Sequence, residues 1–271
     1  MGKESVYNPI LRWAGGKRWL IPKIVELTES MKFNDYHEPF IGGGSIAFNI
    51  RTTNKKYISD INPNLINFYK IVKKEPNELI ELLLKYKNSE KFYYKIRSQK
   101  TDDPLVRAAN FFFLNRTSFN GLYRENLKGE YNVPYGHRQL MKEDILKLLH
   151  LNSKLKNTII TCQPYELSLK GPKKGDLVYI DPPYTVAHEN NGFIKYNRKL
   201  FAYEDQIMLV QIIQELDKRG VYVILSNAKH ASISKIYSKF SKPSIISRHS
   251  IIGGKNAHRG KISEFLFTNL I

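Results

Sequence analysis

The chain has 271 residues, enough for a sizeable core and one or two domains. Its 43 Lys and Arg against 25 Asp and Glu leave a formal charge of +18, which points either to a polyanionic partner, nucleic acid first among them, or to a generally Lys-rich surface. The lone cysteine excludes an intrachain disulfide and a cysteine-rich zinc site; the absence of a membrane-length apolar run and of a signal-peptide core in residues 1–5 leads us to expect a soluble, cytoplasmic protein with no membrane partner.

Ile21, Ile24, Val25 and Leu27 recur at helical spacing and predict a helix over 21–31. Residues 36–40 read as a strand, 41–45 as a Gly-rich turn and 46–50 as the start of a helix. A second strand, 56–60, ends on Asp60, and 64–72 is helical with Leu65, Ile66, Tyr69 and Val72 on one face. From 75 to 142 the chain is helical and rich in aromatics (Tyr86, Phe92, Phe111, Phe112, Phe113), with a glycine-bearing loop over 117–138. After about Lys147 strands and helices alternate again: strands at 159–162, 177–180, 221–225 and 265–269, and a helix at 205–218 with Ile207, Val210, Ile213 and Leu216 on one face. Cys162, in an apolar run, reads as a small buried hydrophobe. Between Lys218 and Ser263 there is no acidic residue, and the many bases suggest a phosphate-facing surface. The alternation implies an α/β sheet carried by 1–70 and 147–271, interrupted by a mainly helical insertion at 71–146.

Three motifs carry chemistry. Asp181-Pro182-Pro183-Tyr184 follows a short apolar strand, at the end where open α/β sheets bind ligands. A carboxylate, a carbonyl left free by a proline-fixed backbone and an aromatic face suit an exocyclic amine on a flat base; a Pro-rich turn with a solvated Asp is the plain alternative. Gly42-Gly43-Gly44 between strand and helix lets backbone N–H groups approach a polar ligand, and Asp60 at the next strand tip is placed to accept from ribose hydroxyls, unless it only caps the following helix. The G-x-G-x-x-G spacing of dinucleotide sites is absent, which favours another nucleoside cofactor. Trp13-Ala14-Gly15-Gly16-Lys17 adds a flat ring and a cation, or simply a turn before the first helix.

In order along nearly the whole chain, Leu11–Lys17, Glu38–Ser45, Asp60-Ile61-Asn62, Leu114-Asn115-Arg116, Phe119–Arg124, Asn132–Gly136 and Asp181–Tyr184 resemble the Dam-type (D12 class, alpha group) DNA adenine-N6 methyltransferases, including those of GATC restriction–modification systems. The resemblance implies a Rossmann-like S-adenosylmethionine-dependent fold with S-adenosylhomocysteine as product, no metal, double-stranded DNA as substrate, and a location at the nucleoid. A cognate restriction endonuclease is a further implied partner. Family roles carried onto matching residues make Asp181, Pro182 and Tyr184 catalytic. Trp13, Lys17, Phe40, Gly42, Gly44, Asp60 and Asp181 would then bind the cofactor.

For DNA, the resemblance points to Arg124 as a bidentate guanine reader, Leu122 and Pro134 on a thymine methyl, Arg12 on the first guanine and Asn120 in the gap left by a flipped adenine. Arg116 would bind phosphate or brace the loop, Arg138 with His137 stands where some relatives have Tyr, and Lys255 and Arg259 belong to a basic loop for phosphate. Rival readings are cytosine-N4 methylation, whose sites usually begin with Ser where Asp181 stands, and a non-catalytic DNA-binding protein, against which Asp181 and Asp60 argue.

Overall fold

The computed structural model describes residues 6–121, 123–126, 130–184, 201–249 and 261–270. They divide into two units, Met1–Ser30 with Ile41–Gln163 and Met31–Phe40 with Pro164–Ile271.

In the first unit, strands β2 (Lys56–Asp60) and β3 (Thr158–Cys162) pair in parallel, Lys56 opposite Thr158 and Asp60 opposite Cys162. The same unit holds α1 (Ile21–Thr28), α2 (Pro63–Lys74), α3 (Pro76–Leu84), α4 (Glu90–Ser98), α5 (Pro104–Thr117) and α6 (Lys142–Lys154), with α2 against both strands. The helix starts are chemically marked. Asn62, Ser89 and Asp103 cap α2, α4 and α5 with side-chain oxygens on backbone N–H groups, and proline follows directly at the starts of α2 and α5. α5 is buried nearly all round, from Ala108 to Asn115, so it forms the centre of the helical block. Phe68 stacks on Phe112 at 5.5 Å, and Tyr86, Phe92 and Phe113 close edge to face around its far end.

The second unit holds β1 (Tyr36–Glu38), β4 (Leu177–Ile180), β5 (Tyr222–Ala228), β6 (Ser244–His249) and β7 (Lys261–Thr268), adjacent in the order β1-β4-β5-β7-β6. β1, β4 and β5 run parallel; β7 is antiparallel to β5 and β6. Every residue of β4 is buried, as an unbroken Leu-Val-Tyr-Ile run predicts for a strand covered on both faces. Helices α7 (Tyr165–Ser168), α8 (Tyr203–Lys218) and α9 (Ala231–Tyr237) belong to this unit. Asp176 clasps the start of β4 to β1: it accepts from the backbone N–H of Asp35 and Lys173 and faces His37 Nε2 at 3.0 Å.

Three expectations are corrected. Residues 46–50 make one helical turn, with Ile50 N–H on Ile46 O, and no helix. Buried Lys56 reaches the Ala47 and Ile50 carbonyls with Nζ at 2.6 and 2.8 Å and ends the turn there. Cys162 is exposed: among the described residues β3 lies at the end of the strand order and pairs with β2 alone. Ile207 is 37% exposed; the inward stripe of α8 is Gln206, Leu209, Val210, Ile213 and Leu216. Gln206 takes the inner place because its Oε1 accepts from Asn227 and Tyr237. The strand β6 and helices α6, α7 and α9 add to the elements expected.

Candidate active site

In the second unit Asp181-Pro182-Pro183-Tyr184 leaves the C-terminal end of β4. Ser226, on β5 and fully buried, donates from Oγ to Asp181 Oδ1 at 2.9 Å and shares a 2.8 Å hydrogen bond with the Tyr179 hydroxyl. β4 thus supplies both the carboxylate and, two residues earlier, the tyrosine behind it, and β5 supplies the hydroxyl that joins them. Burial, then the charge on Asp181, pushes the Tyr179 hydroxyl well above its usual range, so it stays protonated as a hydrogen-bond group. Tyr184 is raised for the same first cause, with Asp181 and Glu264 adding to it; its hydroxyl donates to Glu264, a buried acid on β7. Phe40 stacks on Tyr165 at 5.3 Å and meets Phe201 edge-on. Ser226 and Glu264 escaped the sequence reading because nothing local marks either; each gains meaning only from the strand beside it.

In the first unit the Gly42–Gly44 turn is shaped by its neighbours. Gly42 and Gly44 have φ of +46° and +73°, and a Cβ on Gly44 would stand 2.1 Å from the Phe48 ring. Asp60, half-buried at the tip of β2, accepts from the Gly42 N–H at 3.2 Å and from the Asn62 N–H at 3.0 Å. Burial raises its carboxyl above the usual aspartate value, against the pull of those N–H groups. The cap of α2 is Asn62, whose Oδ1 accepts from Asn64 and Leu65, so Asp60 is left at the glycine turn. The Gly42 carbonyl is taken by the Tyr69 hydroxyl at 2.8 Å. Trp13 lies over Gly42 and stacks on Tyr123; Lys17 is buried and donates to the Gly15 carbonyl at 3.0 Å.

The same unit carries the proposed DNA-reading residues. Asn115, buried on α5, bonds both backbone groups of Arg12, and Arg116 donates to Ile10 O and to Asp144 at 2.5 Å. Burial, then the nearby Arg116 and Arg138 charges, lowers the pKa of Arg12, a sign of three clustered guanidinium groups. Asp144 is held below the usual carboxylate value by Lys147 and Arg116, which outweigh the opposing effect of burial. Residues 123–126 and 130–132 face each other as a hairpin, with Asn132 N–H on Arg124 O and Arg124 Nε on Asn132 Oδ1 at 2.8 Å. Arg124, Pro134, Arg138 and Asn120 are exposed, and Asn120 has φ of +54°. Leu122, Lys255 and Arg259 lie outside the described residues. Of the basic C-terminal stretch, Lys218, Arg219, Lys229, Lys235, Lys239 and Lys242 are exposed. Among the described residues no helix is long and apolar enough to cross a membrane.

Comparison with known proteins places the chain in a family. The profile of the D12 class N6 adenine-specific DNA methyltransferases matches residues 13–251. The chain is 37% identical to the Type II methyltransferase M1.LlaDCHI of Lactococcus lactis subsp. cremoris, over 97% of this chain and 95% of that one. It is 36% identical to the Type II methyltransferase M.MjaIII of Methanocaldococcus jannaschii, over 97% and 99% of the two chains. It is 34% identical to the DNA adenine methylase of Escherichia coli K12, over 94% and 93%. A profile that spans most of the chain, joined to relatives matched nearly end to end, leaves one conclusion: the chain belongs to the D12 class N6 adenine-specific DNA methyltransferases and is a site-specific DNA adenine methyltransferase.

Proposed function

We propose that this enzyme methylates N6 of an adenine flipped out of double-stranded DNA, within the sequence GATC, using S-adenosylmethionine and no metal. The observation that carries the reading is Asp181 at the end of β4 with one carboxylate oxygen held by Ser226. Adenine N6 is a poor nucleophile because its lone pair is delocalised into the ring. Asp181 and the Pro182 carbonyl accept the two amine hydrogens, favour a tetrahedral nitrogen and aim its lone pair. This is catalysis by positioning and fixed dipoles. Tyr184 stacks on the extruded base, a contact of about 1–3 kcal/mol that offsets part of the few kcal/mol that flipping costs.

A donor set within the first unit fits the cofactor. The Asp60 carboxylate, anchored by the Gly42 and Asn62 N–H groups, suits a ribose diol. Trp13, Lys17, Phe40 and the Gly42 and Gly44 turn serve the remainder, with Asp181 at the amino-acid end. The cofactor supplies an electrophilic methyl group on a sulfonium centre. Residues 71–146 form the target-recognition domain, and 1–70 with 147–271 the catalytic domain. Arg124 and Arg12 read guanines, Leu122 and Pro134 a thymine methyl, and Asn120 the vacated stack. Arg116, bonded to Ile10 O and Asp144, braces the loop; Arg138 stands at the outer base pair; Lys255 and Arg259 serve the DNA backbone. Pairing with a restriction endonuclease is part of the same proposal.

Asp181→Ala should abolish transfer of labelled methyl while duplex binding survives; near wild-type turnover would sink the mechanism. Single-molecule sequencing of DNA treated with the purified enzyme should place N6-methyladenine in GATC. Methylation spread over other contexts would refute the site.

A further inference from the structure

Tyr123 touches residues from both halves of the proposed task. Its ring lies on Trp13, centroids 5.1 Å apart and planes 22° from parallel, and against Phe111 at 5.3 Å. Trp13 in turn rests on the glycine turn so closely that a Cβ at Gly42 would stand 2.7 Å from its Cδ1. The Tyr123 hydroxyl donates to Glu125 and receives a hydrogen bond from Asn64 Nδ2 at 3.4 Å. Asn62, whose own N–H is bound by Asp60, donates to that hydroxyl as well. On the other side the chain passes directly into Arg124, tied across the hairpin to Asn132, with the Tyr131 ring 5.5 Å from Tyr123.

We propose that Tyr123 is a positioning residue that couples cofactor binding to target reading. The inference rests on the reading of Trp13 and Asp60 as cofactor residues and of Arg124 as a base reader. A ligand that fixes Trp13 against Gly42 and draws on Asp60 also fixes the ring plane and the Asn62 donor on which Tyr123 is seated. The backbone that presents Arg124 starts from that seat. Ordering produced by one ligand then need not be produced again by the other, which is positive coupling without a change of fold. Linkage makes it reciprocal: whatever factor DNA adds to cofactor affinity, the cofactor adds to DNA affinity. A tyrosine that merely filled space between Trp13 and Phe111 would have no such effect.

The test is calorimetric titration of the full chain with S-adenosylhomocysteine, alone and with a saturating GATC duplex. It compares wild type with Tyr123→Phe, Tyr123→Leu and Trp13→Leu. Duplex should tighten wild-type binding by about 5-fold or more, the lower end of common coupling factors. Tyr123→Phe keeps the stack and should retain most of that factor. Tyr123→Leu should bring it to about one, whatever its Kd in the absence of DNA. If thermal melting shows Tyr123→Leu to be unfolded, Tyr123→Met takes its place with the same expected factor. A wild-type factor of one, or a wild-type factor retained in the aliphatic variant, overturns the coupling. Trp13→Leu with unchanged Kd in the absence of DNA overturns instead the reading of Trp13 as a cofactor residue, and is recognised by that Kd alone.

Discussion

Removing one hydroxyl should separate turnover from binding. Ser226→Ala deletes the 2.9 Å donor to Asp181 Oδ1 and, with it, the partner of the Tyr179 hydroxyl. A hydrogen bond to a charged acceptor contributes about 1.5–3 kcal/mol. If that energy keeps Asp181 in the orientation that receives the adenine amine, its loss lowers kcat by roughly 10- to 100-fold, at one power of ten per 1.36 kcal/mol. KM for DNA should move little, because no DNA-binding residue is touched. The buried Tyr179 hydroxyl loses its partner, at about 1–3 kcal/mol of stability, and Tm should fall by roughly 2–4 °C per kcal/mol for a chain of this size. Tyr179→Phe is the control. It removes the outer hydroxyl and leaves the Ser226–Asp181 bond, so it should lower Tm with kcat within a few fold of wild type. Initial rates of labelled-methyl transfer, with duplex and cofactor varied in turn, measure the split. Ser226→Ala with wild-type kcat, or a kcat loss as large in Tyr179→Phe, would refute the reasoning.

Other consequences follow from single residues. Asp60 accepts hydrogen bonds best when ionised, and burial raises its pKa. Cofactor affinity should therefore be full above that raised pKa and be lost as pH falls through it, earlier than an ordinary aspartate would lose it; a flat profile in wild type, or one unchanged in Asp60→Asn, would contradict this. Gly44→Ala drives a Cβ into buried Phe48 at a left-handed φ. About 1–2 kcal/mol of backbone strain and about 1–3 kcal/mol of overpacking should appear in denaturant melts as a clear loss of stability. Arg124→Ala should relax preference at one guanine by about 1–3 kcal/mol, read from rates on duplexes substituted at that base; an unchanged ratio would assign Arg124 to the hairpin alone, through its bond to Asn132.

Local chemistry was readable from the chain. The run Lys56–Asp60 became β2 with the expected ends, the Leu65, Ile66, Tyr69 and Val72 face of α2 is buried, and Asp181–Tyr184 leaves a buried strand. These depend on neighbours a few residues apart, where periodicity and turn chemistry decide. What lay beyond reach depends on partners brought from far along the chain. Ser226 meets Asp181 only because β4 and β5 adjoin, 45 positions apart. Cys162 is exposed because β3 has no second strand neighbour among the described residues, although its apolar run looks like a core strand. The turn at 46–50 stops at a lysine that folds back from β2. Asp60 is free of helix capping because Asn62, two residues on, has the right backbone angle to take that role. Pattern settles which groups are present and which local shape they favour. Burial, and the donor that each buried oxygen finds, are set by packing between segments, and only the folded chain decides them.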